Sequence, residues 1–163
     1  MNKEETDNII EEIIKRNMTI TFMESCTGGL LASMFTDVSG ASAVFKGSLV
    51  TYSNQMKIAA GVSAGVIENS GVYSKECAGA MAAAVKKIYS TDIAIGITGT
   101  TGNKDPANKD SILGTAYYCI MFRGKVYDYK IEENVSQLNR KEIKRLYAER
   151  VYKSLRQIIL QNS

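Results

Sequence analysis

The chain has no histidine in its 163 residues. That excludes a Ser-His-Asp or Cys-His arrangement built from this chain, and it removes the commonest zinc ligand. Any general base must be a lysine, a tyrosine, a carboxylate or a chain terminus. Cysteine is also sparse. Cys26, Cys77 and Cys119 are odd in number and lack CxxC spacing, so neither a disulfide framework nor a zinc knuckle is indicated. No metal and no cofactor is expected. Apolar runs fall short of the roughly 20 residues that span a bilayer. The start, MNKEETDNII, is too acidic and polar for a secretory signal. A cytoplasmic location with no membrane partner is expected. The net charge of +3 is too mild to indicate nucleic acid. What is abundant is apolar surface: 45% of residues are hydrophobic, enough for one globular domain over 1–163.

Periodicity divides the chain without repeats or linkers. Residues 3–17 place Ile9, Ile10, Ile13 and Ile14 on one face of an amphipathic helix. Residues 18–23 and 92–99 read as buried strands, and 42–53 as a strand or bent strand. Short helices are expected at 28–37, 54–61 and 63–71, and a strong one at 74–90 with Ser74 as its cap. A polar loop at 100–113 holds the only proline, Pro106. Two strand-like runs flank Arg123-Gly124 as a hairpin, and a long amphipathic helix from 137 closes the chain. This order predicts a three-layer α/β/α sandwich around a mixed, mostly parallel sheet.

The stretch TFMESCTGG at 21–29 carries the sharpest chemical signal. A buried strand there delivers Glu24, Ser25, Cys26 and Thr27 to a helix start opened by Gly28 and Gly29. Ligands of open α/β sheets bind at the carboxyl ends of strands. The N–H groups of such a turn can hold a phosphate or an oxyanion. The same residues also suit a plain capped helix start. Cys26 competes with Ser25 as nucleophile, since a helix N-terminus lowers a thiol pKa, although a free cysteine also serves as a small buried hydrophobe. In VTYSNQMK, Tyr52 and Lys57 end one strand and enter the next helix. Without histidine, a desolvated lysine is the natural base for a serine. The alternative is a surface lysine and a half-buried tyrosine. GITGTTG puts Thr98 and Gly99 at the end of the third strand, with no P-loop or dinucleotide fingerprint. The basic run with Arg140, Lys141, Lys144 and Arg145 is either a solvated face or the source of one phosphate clamp.

Taken in order, ESCTGG, FKGSLVTYSNQMK, GVYSKECA, GITGTTG and LGTAYY resemble the CinA C-terminal domain, the nicotinamide-nucleotide amidohydrolase family, from about residue 5 to residue 160. The resemblance implies the stand-alone form of a domain that often follows another. It implies deamidation of nicotinamide mononucleotide to nicotinate mononucleotide and ammonia. It carries the nucleophile onto Ser25 and the assisting pair onto Tyr52 and Lys57. A hydroxyl residue after the third strand falls on Thr98, and an arginine near the last helix on Arg140. Substrate contacts are expected from Glu24, Thr27, Gly28, Gly29, Thr98, Gly99 and Arg140. One region departs from the family pattern, which reads close to SGIAGPGGG…KPVGTV. Residues 98–103 here are TGTTGN, and Ser111-Ile112 replaces Lys-Pro. The departure bears on substrate identity and on activity, so a second reading stands beside the first: a catalytically silent nucleotide-binding or partner protein of the same fold. A role in competence or DNA damage, carried by the family name, draws little support from the mild charge. A homo-oligomer is expected from the resemblance.

Overall fold

The apolar stretch before Ser25 is a strand buried on both faces: β1 (Ile20–Glu24) has every residue out of solvent. The computed structural model describes residues 3–102 and 105–162. Among them, β1 lies within one five-stranded sheet, ordered β2 (Phe45–Val50), β1, β3 (Ile93–Gly99), β4 (Thr115–Phe122), β5 (Lys125–Glu132). β1 pairs in parallel with both β2 and β3, while β3–β4 and β4–β5 are antiparallel. Only β4 is therefore reversed, and the sheet is mixed and mostly parallel by strand direction.

Six α-helices accompany these strands among the described residues: α1 (Lys3–Lys15), α2 (Leu30–Thr36), α3 (Asn54–Ala59), α4 (Ala64–Ser70), α5 (Lys75–Tyr89) and α6 (Arg140–Gln161). Side chains alternate across a strand, and the alternation sorts the core into two layers. Ile20, Phe22, Ile93, Ile95 and Ile97 pack with Ile9, Ile10 and Ile13 of α1, Leu31 and Phe35 of α2, and Tyr147, Val151 and Tyr152 of α6. Met23 and Ala94 face the other way, onto Cys77, Met81 and Val85 of α5. Each large apolar side chain so buried contributes roughly 1.5–3 kcal/mol, which ties the polar-backed α1 and α6 to the sheet. On the α5 face, Gly96 permits close approach: a Cβ there would lie 2.3 Å from the Ala78 carbonyl oxygen and 2.6 Å from Ala82 N.

Local chemistry sets the boundaries. Ser74 caps α5 by accepting from Cys77 N–H. Arg123 and Gly124 both have positive φ, 50° and 74°, as a two-residue hairpin loop with the right twist requires. Several expected elements are shorter than their sequence patterns, among them the helix expected over 28–37, which is Leu30–Thr36. The strand expected over 42–53 begins at Phe45, after a 3-10 turn at Ala41–Ala43. The helix expected from 137 begins at Arg140, because Asn139 and Glu142 form a reciprocal capping box. Among the described residues, no helix is long and apolar enough to cross a membrane.

Candidate active site

β1, β2 and β3 run the same way, so their carboxyl ends share one edge of the sheet. Ser25 follows β1, Thr51 and Tyr52 follow β2, and Thr100 follows β3. The Ser25 N–H donates to the Ile97 carbonyl (3.1 Å) and the Thr51 N–H to the Glu24 carbonyl (2.8 Å), which locks the three strand ends together.

Lys57 enters from α3, whose first turn is fixed by Ser53 Oγ accepting from Met56 N–H (3.2 Å). The lysine turns inward and is 1% exposed. Its Nζ lies 3.0 Å from Ser25 Oγ and donates to the Thr51 carbonyl (2.8 Å). Burial lowers its pKa below the ordinary 10.5, against the opposing pull of Cys77, Cys26 and Asp105. A desolvated amine in hydrogen-bond reach of a hydroxyl has the geometry of a general base.

Cys26 has the opposite chemistry. The thiol is pushed up to about 12, chiefly by burial and next by the Glu24 carboxylate. The depression expected from a helix N-terminus is overridden, because the thiol sits in the core cluster with Phe22 and Leu31.

Several residues expected to touch ligand are placed differently. Glu24 is fully buried, and its carboxylate accepts from Thr27 Oγ1 (2.7 Å), Leu31 N–H (3.0 Å) and Ala32 N–H (3.0 Å). It satisfies the first amides of α2 and fixes the turn, so Glu24 and Thr27 shape the site from behind. Gly28 and Gly29 take φ of 62° and 91°, left-handed values that make the turn possible. The Gly28 N–H donates to the Ser25 carbonyl (3.0 Å). Thr98 is also buried, and its hydroxyl donates to the Val72 carbonyl (3.0 Å), joining β3 to the segment before α5. Tyr52 is 61% exposed, and its hydroxyl accepts from Arg140 Nη2 (2.6 Å), not from the Ser25–Lys57 pair. It stands at the rim of the site, although its neighbour Thr51 is buried. Ser25, Tyr52, Gly99 and Arg140 do line one cavity of about 560 Å³, with Lys57 directly behind Ser25.

The model of the CinA C-terminal domain family matches residues 2–159. The chain belongs to this family. It is 36% identical to Protein MG115 of Mycoplasma genitalium, over 93% of this chain and 94% of that one. It is 40% identical to a CinA-like protein of Prochlorococcus marinus, over 95% of this chain and 37% of that one. A CinA-like protein of Fervidobacterium nodosum is 43% identical over 68% of this chain. The chain thus spans 28% of the Fervidobacterium protein and 37% of the Prochlorococcus one, though nearly all of the Mycoplasma one. Among solved structures, the competence/damage inducible protein CihA of Agrobacterium tumefaciens superposes with a TM-score of 0.84 at 26% identity, covering 99% of this chain and 95% of that one. A CinA superfamily protein of Klebsiella pneumoniae shares the fold at a TM-score of 0.87 and 24% identity, covering 95% and 96%.

The cavity of this CinA-family chain is completed by residues outside the expected set. Tyr73 donates to Asp105 Oδ2 (2.7 Å), Asn108 Nδ2 donates to the same oxygen (2.6 Å), and Ala107 N–H donates to Oδ1 (2.9 Å). Asn54 Nδ2 reaches across to Asn108 Oδ1 (3.0 Å), linking α3 to this loop. Those hydrogen bonds hold the Asp105 carboxyl below its ordinary range, Asn108 first and Tyr73 next. Asn103, within the departing TGTTGN stretch, and Lys104 lie outside the described residues. Tyr73 sits in the GVYSKECA motif, so its region was visible in sequence, but nothing there specified its partner. Among the described residues, no group of Cys, Asp or Glu is placed to hold a metal ion.

Proposed function

We propose that this chain hydrolyses the carboxamide of nicotinamide mononucleotide, giving nicotinate mononucleotide and ammonia. The observation that carries this reading is the contact between Ser25 Oγ and the buried Lys57 Nζ (3.0 Å) beside an open cavity. Neutral Lys57 accepts the hydroxyl proton as Ser25 Oγ bonds to the carboxamide carbon. The C–N bond then breaks, and Lys57 returns the proton to the departing ammonia. Water attacks the acyl-enzyme, and Lys57 takes one of its protons and restores the serine hydroxyl. The Gly28 amide is committed to the Ser25 carbonyl, so its neighbours in the turn are the candidates for stabilising the oxyanion. Arg140 at the cavity mouth suits the phosphate: one nitrogen holds Tyr52, and a guanidinium has further donors to offer.

The test is ammonia release from nicotinamide mononucleotide by purified protein, with Ser25→Ala as control. Release by the wild type alone supports the reading. Tight binding with no release by either protein favours the silent nucleotide-binding alternative. A wild-type rate no higher than that of Ser25→Ala overturns the substrate.

A further inference from the structure

Among the described residues, two buried side-chain polar atoms lack a hydrogen-bond partner: Thr51 Oγ1 and Thr100 Oγ1. Both belong to the site. The Thr51 carbonyl receives Lys57, and Thr100 lines the same cavity as Ser25. Thr100 is 5% exposed. Its backbone is held on both sides: the N–H donates to the Thr115 carbonyl (2.9 Å), and the carbonyl accepts the hydroxyl of fully buried Tyr147 (2.8 Å). Oγ1 itself is shut off from solvent, and rotation about χ1 is the freedom left to bring it to a ligand in the cavity.

A buried hydroxyl without a partner destabilises a protein, and such a group calls for a reason. Valine has nearly the same shape and would fill the space without the penalty. Several polar groups of this wall are committed to one another, Tyr73 and Asn108 to Asp105 and Asn54 to Asn108. Of the two unmatched hydroxyls, the one at Thr100 belongs to a residue that lines this cavity.

We propose that Thr100 is a specificity-determining residue: its hydroxyl hydrogen-bonds a neutral polar group, a hydroxyl or an amide, on the ligand whose anionic end meets Arg140. This inference rests on the hydrolase reading above and adds to it a contact that selects the substrate. A site built to hydrogen-bond a polar group rejects analogues lacking that group, because the protein's own hydroxyl is then left unpaired.

The test is calorimetric binding of nicotinamide mononucleotide to Ser25→Ala protein, with and without Thr100→Val or Thr100→Ser, plus thermal melting of the ligand-free proteins. The valine change is expected to weaken binding about tenfold, and serine to restore most of it. The ligand-free valine variant is expected to melt at the same temperature or higher, since it loses an unsatisfied hydroxyl. Equal affinities for the serine-to-alanine parent and its valine derivative overturn the role of Thr100 alone. A lower melting temperature for the valine variant does so too, because the hydroxyl then has a partner in the free protein. Failure of the parent to bind the mononucleotide at all overturns both this proposal and the substrate. Thr100-dependent binding with no turnover by the Ser25 protein sustains the contact and overturns the hydrolysis.

Discussion

The Tyr52 hydroxyl accepts a hydrogen bond from Arg140 Nη2 at 2.6 Å, joining the exit of β2 to the first residue of α6 across 88 residues of chain. This link fixes where the guanidinium points, and it sits at the rim rather than at the Ser25–Lys57 pair. We predict that Tyr52→Phe raises KM about three- to tenfold while kcat changes less than threefold, the size expected for one lost positioning hydrogen bond. Steady-state kinetics separates the cases: a hundredfold fall in kcat at unchanged KM means that Tyr52 takes part in proton transfer.

Cys26 follows the proposed nucleophile in sequence, but its thiol is buried in place. Burial, with the Glu24 carboxylate next, raises its pKa and keeps the thiol in the neutral, poorly nucleophilic form. We predict that Cys26→Ala keeps at least a tenth of wild-type turnover, and that iodoacetamide labels Cys26 in the folded protein no faster than unfolding exposes it. Rapid labelling that tracks loss of activity would falsify the assignment of Ser25 as nucleophile.

The elements were legible wherever a local pattern alone determined them. Ile9, Ile10 and Ile13 announced α1, Ser74 announced the start of α5, and Arg123-Gly124 announced the hairpin. The pairing of Ser25 with Lys57 followed from the family resemblance, and the fold supplies its physical reason: β1 and β2 are parallel neighbours, so the turn after β1 and the helix after β2 meet at one sheet edge. Side-chain destinations were not. Glu24 was expected to touch substrate, yet the turn presents it with the amides of Leu31 and Ala32, which donate one to each of its oxygens. Thr98 looked like a rim hydroxyl, yet the pleat turns it towards the Val72 carbonyl. Tyr73 and Asp105 were missed because their pairing closes over 32 residues through a loop with no periodic signal.

Glu24 supplies a stability prediction. Glutamine is nearly the same shape but offers one acceptor oxygen where the carboxylate uses two, and its amide nitrogen would face an N–H donor of α2. Hydrogen bonds to a charged acceptor are worth about 1.5–3 kcal/mol each, so Glu24→Gln is expected to destabilise folding by about 2–3 kcal/mol. Urea denaturation measures this directly. An unchanged midpoint means that the turn tolerates the loss, and that Glu24 is free for another role.

The pH dependence rests on Lys57. Burial lowers its folded pKa below the unfolded 10.5, so between those two values the unfolded chain binds more protons than the folded one. Stability then rises with pH through that window. The cost of keeping a buried cation is complete below the folded pKa and absent above 10.5. Lys57→Met, which cannot charge, is therefore expected to gain stability relative to wild type at low pH and to lose that advantage as pH rises through the window. Activity follows the same ionisation with a different readout. Protonated Lys57 cannot accept the Ser25 proton, so turnover falls on the acid side of the folded pKa, and no histidine is present to produce such a limb instead. Lys57→Arg and Lys57→Met are both expected to lower kcat by at least a thousandfold, arginine because it stays charged and methionine because it has no base. Pairing the melting series with the rate profile isolates the cause. If the acid limb persists in either variant, or if the melting difference between wild type and Lys57→Met is flat across pH, Lys57 is not the titrating base.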